Sequence, residues 1–156
     1  MERKFIADTM LGKLARWLRI IGCDVEYYPD MDDAELVERA AREGRLILTR
    51  DTLLIRRRKA RGNHFFVEGD HFRDQLRQVL KAFAIDPFER FLTRCLECNE
   101  PLLGIEKAAV RERVPPYVFA SRETFRTCPS CDRIYWGATH RVGMAEEIAR
   151  ILDVKP

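Results

Sequence analysis

Arg45-Leu46-Ile47-Leu48-Thr49-Arg50-Asp51 is a short apolar run without polar alternation, bounded by Gly44 before it and by a charged pair at its end. That pattern fits a strand buried on both faces, as in a parallel sheet, better than a half-exposed antiparallel one. The run closes on a carboxylate. Ligands of open α/β sheets sit beyond the carboxyl ends of the strands, so Asp51 belongs at the edge where a site forms.

Working outward, Lys4 to Asp8 reads as a first strand that also closes on an acid. Leu11, Leu14, Ala15, Leu18 and Ile21 then follow helical spacing, with Lys13, Arg16 and Arg19 off the apolar face and Gly22 as the stop. Cys23 to Tyr28 is a second strand, and Asp32-Asp33-Ala34-Glu35 opens a helix that ends at Gly44. Beyond Asp51 the spacing predicts a basic helix or helical turn over 52–61, a strand over 64–68 and a helix opening at Asp70. Strand and helix alternate throughout, which predicts an α/β fold with a parallel sheet flanked by helices. Asp86-Pro87 breaks the alternation, because the residue before proline is pushed out of the helical region. Two units are expected, residues 1–85 and residues 86–156, the second with short strands and a closing helix from Gly143 to Leu152.

The chain has 156 residues, is 46% hydrophobic and 34% charged, and carries a net charge of +3. No apolar run approaches the roughly 20 residues of a membrane helix. Met1-Glu2-Arg3-Lys4 leads straight into a strand without a secretory h-region, so a cytoplasmic protein with reduced thiols is expected and a membrane partner is not. Positive charge is concentrated. From Arg39 to Arg61 there are nine Arg or Lys against Glu43 and Asp51, a local balance of +7. Such a patch attracts a polyanion. Arg50, Arg56, Arg57 and Arg58, together with Lys13 and Arg16, are the candidate nucleic-acid-binding cations.

Asp8, Asp33 and Asp51 each stand where a strand hands over to a helix. Any one of them alone reads as an N-cap, satisfying orphan N–H groups at the positive end of a helix. Asp32 and Glu35 have capping-box spacing, which makes Asp32 the cap and frees Asp33 for the crevice. Three acids at one sheet edge raise one another's pKa unless a cation neutralises them. Mg²⁺ or Mn²⁺ suits oxygen ligands and binds through a few carboxylates plus substrate phosphate. A metal there can activate water and neutralise a phosphodiester in transfer. Thr49 is placed to hydrogen-bond a carboxylate, and Glu35, Glu68 and Asp70 are lesser candidates for a fourth ligand.

Cys95-Leu96-Glu97-Cys98 and Cys128-Pro129-Ser130-Cys131, with 29 residues between the pairs, fit a closed, structural Cys₄ zinc site in a zinc ribbon. A redox dithiol or free thiols are the alternatives. Asn99 and Asp132 follow the pairs where such a chain turns left-handed, a conformation that Asn and Asp tolerate. Thr124 to Thr127 and Arg133 to Trp136 have the form of a hairpin flanking the second pair. Arg94, Arg126 and Arg133 are placed to offset thiolate charge. Tyr117, Phe125, Tyr135 and Trp136 either fill the ribbon core or stack bases. Cys23 reads as a small buried apolar residue.

Phe5-Ile6-Ala7-Asp8, Met10-Leu11-Gly12-Lys13-Leu14-Ala15-Arg16-Trp17-Leu18-Arg19, Asp33-Ala34-Glu35-Leu36, Thr49-Arg50-Asp51 and the late cysteine pairs together resemble the Mut-seven C-terminal RNase domain family of PIN-like ribonucleases. The resemblance covers nearly the whole chain. It implies a PIN-type sheet, metal-dependent cleavage of RNA, and Asp8, Asp33 and Asp51 as the matching acids, while the fourth acid of PIN nucleases has no match. His140, in Trp136-Gly137-Ala138-Thr139-His140, fits a motif of the same family. Two other readings remain open: a non-catalytic RNA-binding zinc-ribbon protein whose acids are caps, and a toxin-like nuclease with a neutralising partner.

Overall fold

A computed structural model of the protein describes residues 2–137 and 139–153, with side chains throughout except at 139–142. Four strands, β1 (Lys4–Ala7), β2 (Asp24–Tyr27), β3 (Leu46–Thr49) and β4 (His64–Phe66), form a wholly parallel sheet in the order β2-β1-β3-β4. Helices α1 (Gly12–Ile21), α2 (Asp33–Glu43) and α3 (Phe72–Ala82) connect them or follow them. The expected alternation is present, and its physical basis is burial of both sheet faces. Phe5, Ala7, Val25 and Leu48 face α1 and α3, while Ile6 and Ile47 face Leu36, Val37 and Ala40 of α2. A strand covered on both sides has no polar alternate positions, which is why the Leu46–Thr49 run reads as continuous apolar sequence.

Gly22 ends α1 in the left-handed region at φ 97°, and a Cβ there would meet the Arg90 carbonyl oxygen at 2.1 Å. Asp32 caps α2 by accepting the Glu35 N–H at 2.8 Å, and Gly44 closes it at φ 67°. Of the helix or helical turn expected after Asp51, the structure has the second, as two 3₁₀ turns, Leu54–Arg56 and Arg58–Ala60, because Arg57 between them is extended at ψ 141°. One expectation is corrected. The helix expected to open at Asp70 is capped instead by His71, whose Nδ1 accepts the Arg73 N–H.

Beyond residue 86 a second sheet, antiparallel, joins β5 (Leu103–Ile105), β6 (Phe125–Thr127) and β7 (Ile134–Tyr135) in that order, and contains the expected hairpin. A short helix, α4 (Pro116–Ser121), interrupts it; Pro at its first turn suits the fixed φ of proline there. Val110, Val114, Val118 and Phe125 make a small separate core. The last helix, α5 (Thr139–Leu152), packs against α3, and its Ile148 and Ile151 are buried in the same cluster as Leu76 and Val79. No described helix is long and apolar enough to cross a membrane.

Candidate active site and cysteine centre

The carboxyl ends of β1 and β3 meet through Thr49. Its hydroxyl donates to Asp8 Oδ2, the Arg50 N–H donates to the same oxygen at 3.1 Å, and the Met10 N–H donates to Asp8 Oδ1 at 2.9 Å. Asp8 is only 3% exposed, so these donors stand in for lost water. The Thr49 oxygen also accepts the Asp51 N–H at 2.9 Å, so one hydroxyl fixes both acids. Asp51 Oδ1 takes the N–H groups of Leu53 and Leu54 at 2.8 and 3.3 Å. The capping roles weighed from sequence are therefore realised for Asp8 and Asp51.

Asp33 stands in the first turn of α2 with its cap duty taken by Asp32. Its carboxyl is pushed above the usual 3.8, by burial first, then by the charge of Asp51 and, against the opposing pull of Arg57, by Asp8 and a hydrogen bond to Asp51. The three acids thus feel one another across the β1–β3 edge, and Arg57 is the cation beside them. Their donor set of hard oxygens suits Mg²⁺ or Mn²⁺, which retain water ligands. They do not form a ready-made shell: among the described residues, the cysteine quartet is the group of metal-ligating side chains gathered closely enough to hold an ion directly.

The predicted basic patch is smaller than its sequence count. Arg45 is buried, bonding the Phe5 carbonyl, Asp24 and Glu43, and Arg39 pairs with Glu43 while lying over Tyr28. Lys59 pairs with Glu38. Arg56, Arg57 and Arg58 are exposed, and Arg50 is half-exposed. Lys13 lies over the Phe72 ring, and Arg16 faces Glu97 of the first cysteine loop at 3.6 Å. Arg19, expected on the polar face of α1, is buried instead. Glu35 and Glu68 are exposed, and Asp70 lines a groove between α1 and α3.

The Sγ atoms of Cys95, Cys98, Cys128 and Cys131 all lie within 4.8 Å of one another, with Cys95 and Cys131 3.7 Å apart. A tetrahedron with arms of about 2.3 Å has edges of about 3.8 Å, so the quartet fits Zn²⁺. The two loops are alike. The Cys98 N–H points to Cys95 Sγ at 3.4 Å and the Cys131 N–H to Cys128 Sγ at 3.5 Å. Asn99 and Asp132 are left-handed at φ 66° and 65°, as expected. A hydrogen bond to Cys131 pushes Cys98 up to about 12. Burial opposes ionisation of Cys131, yet hydrogen bonds from the Arg133 backbone and side chain and from Cys98 bring it down to about 6.

A family model described as the Mut7-C RNAse domain matches residues 3–148. The chain belongs to that family. No curated protein and no solved structure matches it. In this Mut7-C chain Phe125 is ribbon core and Trp136 packs against it, while the Tyr135 hydroxyl lies 3.1 Å from Cys95 Sγ and accepts the Leu96 N–H. Of the aromatics weighed for stacking, Tyr117 remains well exposed, at 74%. Arg133 hydrogen-bonds Cys131; Arg94 bonds the carbonyls of Gly22 and Asn99, and Arg126 that of Leu92. Cys23 is buried, and burial pushes its thiol up to about 12. The His140 side chain lies outside the described residues.

Sequence reasoning missed the seam between the two sheets. Asn99 is 3% exposed; its Oδ1 accepts the Val25 N–H at 3.0 Å and its Nδ2 donates to Asp24 at 2.7 Å. Arg19 Nε donates to the Val25 carbonyl at 2.8 Å and its Nη1 to that of Leu96 at 3.0 Å. Both backbone groups of Val25, on edge strand β2, are thereby taken by side chains that also belong to or reach the first cysteine loop. The local signal was an Asn after a Cys-x-x-Cys pair, which announces a left-handed turn and nothing about a partner some 75 residues away.

Proposed function

We propose that this Mut7-C chain is a metal-dependent ribonuclease: a PIN-like sheet bearing Asp8, Asp33 and Asp51, followed from about residue 86 by a zinc ribbon that helps hold RNA. The observation that carries the reading is the gathering of Asp8 and Asp51 on the Thr49 hydroxyl at one sheet edge, beside Asp33, whose carboxyl is raised by burial first and then by the charges of Asp51 and Asp8, against the pull of Arg57. Mg²⁺ or Mn²⁺ bound by these acids supplies charge neutralisation at a phosphodiester and activation of water. Thr49 holds the acids in register, because one hydroxyl donates to Asp8 and accepts from the Asp51 backbone. The three-fold bonding of Asp8 fixes its orientation before substrate arrives. Arg50, Arg56, Arg57 and Arg58, with Lys13 and Arg16, bind the phosphates on either side of the cut. Zn²⁺ on Cys95, Cys98, Cys128 and Cys131 is structural, since four thiolates leave no open position. Keeping those thiols reduced requires the reducing environment of the cytoplasm.

A second reading has its own support. Asp8 and Asp51 both satisfy backbone N–H groups as caps do, which suits a non-catalytic RNA-binding protein. Incubation of purified protein with labelled RNA and labelled DNA in Mg²⁺, Mn²⁺ or EDTA separates the two. The ribonuclease reading expects RNA cleavage that needs Mg²⁺ or Mn²⁺ and stops in EDTA; binding without cleavage under every condition supports the other.

A further inference from the structure

The groove of about 440 Å³ between the first turns of α1 and α3 lies on the same sheet edge as the three acids. Its wall is an aromatic stack. The rings of Trp17 and Phe72 lie 5.8 Å apart at 16°, and those of Phe72 and His71 lie 5.5 Å apart at 18°. The stack runs from half-buried Trp17 to exposed His71, ending in solvent. The Lys13 ammonium is 4.3 Å from the Phe72 ring centre and the Arg73 guanidinium 4.8 Å. Met10, 62% exposed, forms the rim, and its N–H is bonded to Asp8. Trp17 and Phe72 pack one side against the core, but the stack continues through them to exposed His71, with cations over the Phe72 ring and one residue, Met10, joining the groove to the carboxylate site.

We infer that this groove is a stacking subsite for an unpaired nucleobase of the strand being cut, so that the substrate is single-stranded RNA. The inference rests on the ribonuclease reading above. A base extends an aromatic stack whatever its identity, because every base has a π-face. A base within a duplex already has both faces covered and is not free to enter. Arg73 is held by Glu147 at 2.7 Å, and Asp70 also lines the groove, which disfavours a phosphate at that end. Lys13, beside Met10, is the cation for the phosphate between the stacked base and the acids. The His71 Nδ1 accepts the Arg73 N–H, which leaves Nε2 as the ring position for a hydrogen bond to the base.

The test uses the full chain carrying Asp51→Asn and Trp136→Phe in buffer without Mg²⁺ or Mn²⁺, so that cleavage is suspended, the cysteine centre stays intact and Trp17 is the sole tryptophan. A short single-stranded oligoribonucleotide should quench Trp17 fluorescence, and its duplex form should not. Adding His71→Ala should weaken single-strand binding on the order of tenfold, and His71→Tyr, which restores a ring, should recover it. Unchanged affinity in His71→Ala, binding without Trp17 quenching, or duplex binding as tight as single-strand binding would overturn the subsite. If the subsite fails while unmodified protein still cuts RNA in Mn²⁺, the ribonuclease reading stands. If unmodified protein cuts no RNA, both fall.

Discussion

At the scale of single residues the three acids are not equivalent. Asp8 uses both carboxylate oxygens to accept three donors, so Asp8→Asn turns an amide toward either the Met10 N–H or the Arg50 N–H and should lower stability by about 1–3 kcal/mol, measured by urea unfolding. Asp33→Asn should do the reverse. A carboxyl held above 3.8 in the folded protein binds its proton more tightly there than when unfolded, so its ionisation costs stability as pH rises through that window. In metal-free buffer at pH 7 Asp33→Asn should therefore raise Tm, and the gain should vanish as pH falls towards 4. A Tm gain independent of pH, or no gain at neutral pH, would contradict the crowding of charge on which the site depends. Thr49, Asp51 and the left-handed Asn99 were legible in sequence, because each follows from its immediate neighbours. Arg19, Arg45 and the side-chain duty of Asn99 were not, because burial of a charged or polar group is decided by partners far along the chain.

Among the elements, the alternation of strands and helices was readable because apolar runs and helical spacing are local, and glycines at 22 and 44 mark the ends. The extended Arg57 and the short α4 escaped notice. A basic run carries no sign of where it breaks, and Pro115-Pro116 reads equally as a loop. Arg57 stays exposed like Arg56 and Arg58, but its charge is the one that reaches Asp33 and lowers its carboxyl. Replacing Arg56, Arg57 and Arg58 together by Ala should weaken RNA binding about equally across sequences and flatten its dependence on salt, because phosphate contacts release counterions without reading bases. Arg57→Ala alone should raise the Asp33 carboxyl further, visible in a titration followed by NMR. An unchanged salt slope in the triple variant would assign these arginines to solvent.

Over the whole molecule the cysteine loops are tied to the parallel sheet through Val25, Asn99, Arg19 and Arg94, and α5 returns to the α3 layer. Metal loss should consequently reach beyond the ribbon. Cys95→Ser should release about one Zn²⁺ per chain and speed exchange of the Val25 amide, whose acceptor is held by the left-handed turn after Cys98. Asn99→Gly, which keeps that turn but removes the side chain, should retain zinc and still cost about 2 kcal/mol. Protection of Val25 unchanged by metal loss would mean that the two sheets are merely adjacent. Whether the acids at the sheet edge cut RNA with a divalent cation is decided by single-turnover cleavage with Asp51→Asn. Asn keeps the cap to Leu53 and Leu54 but removes a charged ligand, so Tm should stay within a few degrees while cleavage of single-stranded RNA in Mn²⁺ falls by orders of magnitude. Cleavage at the unmodified protein's rate in this correctly folded variant would leave Asp51 a helix cap and nothing more.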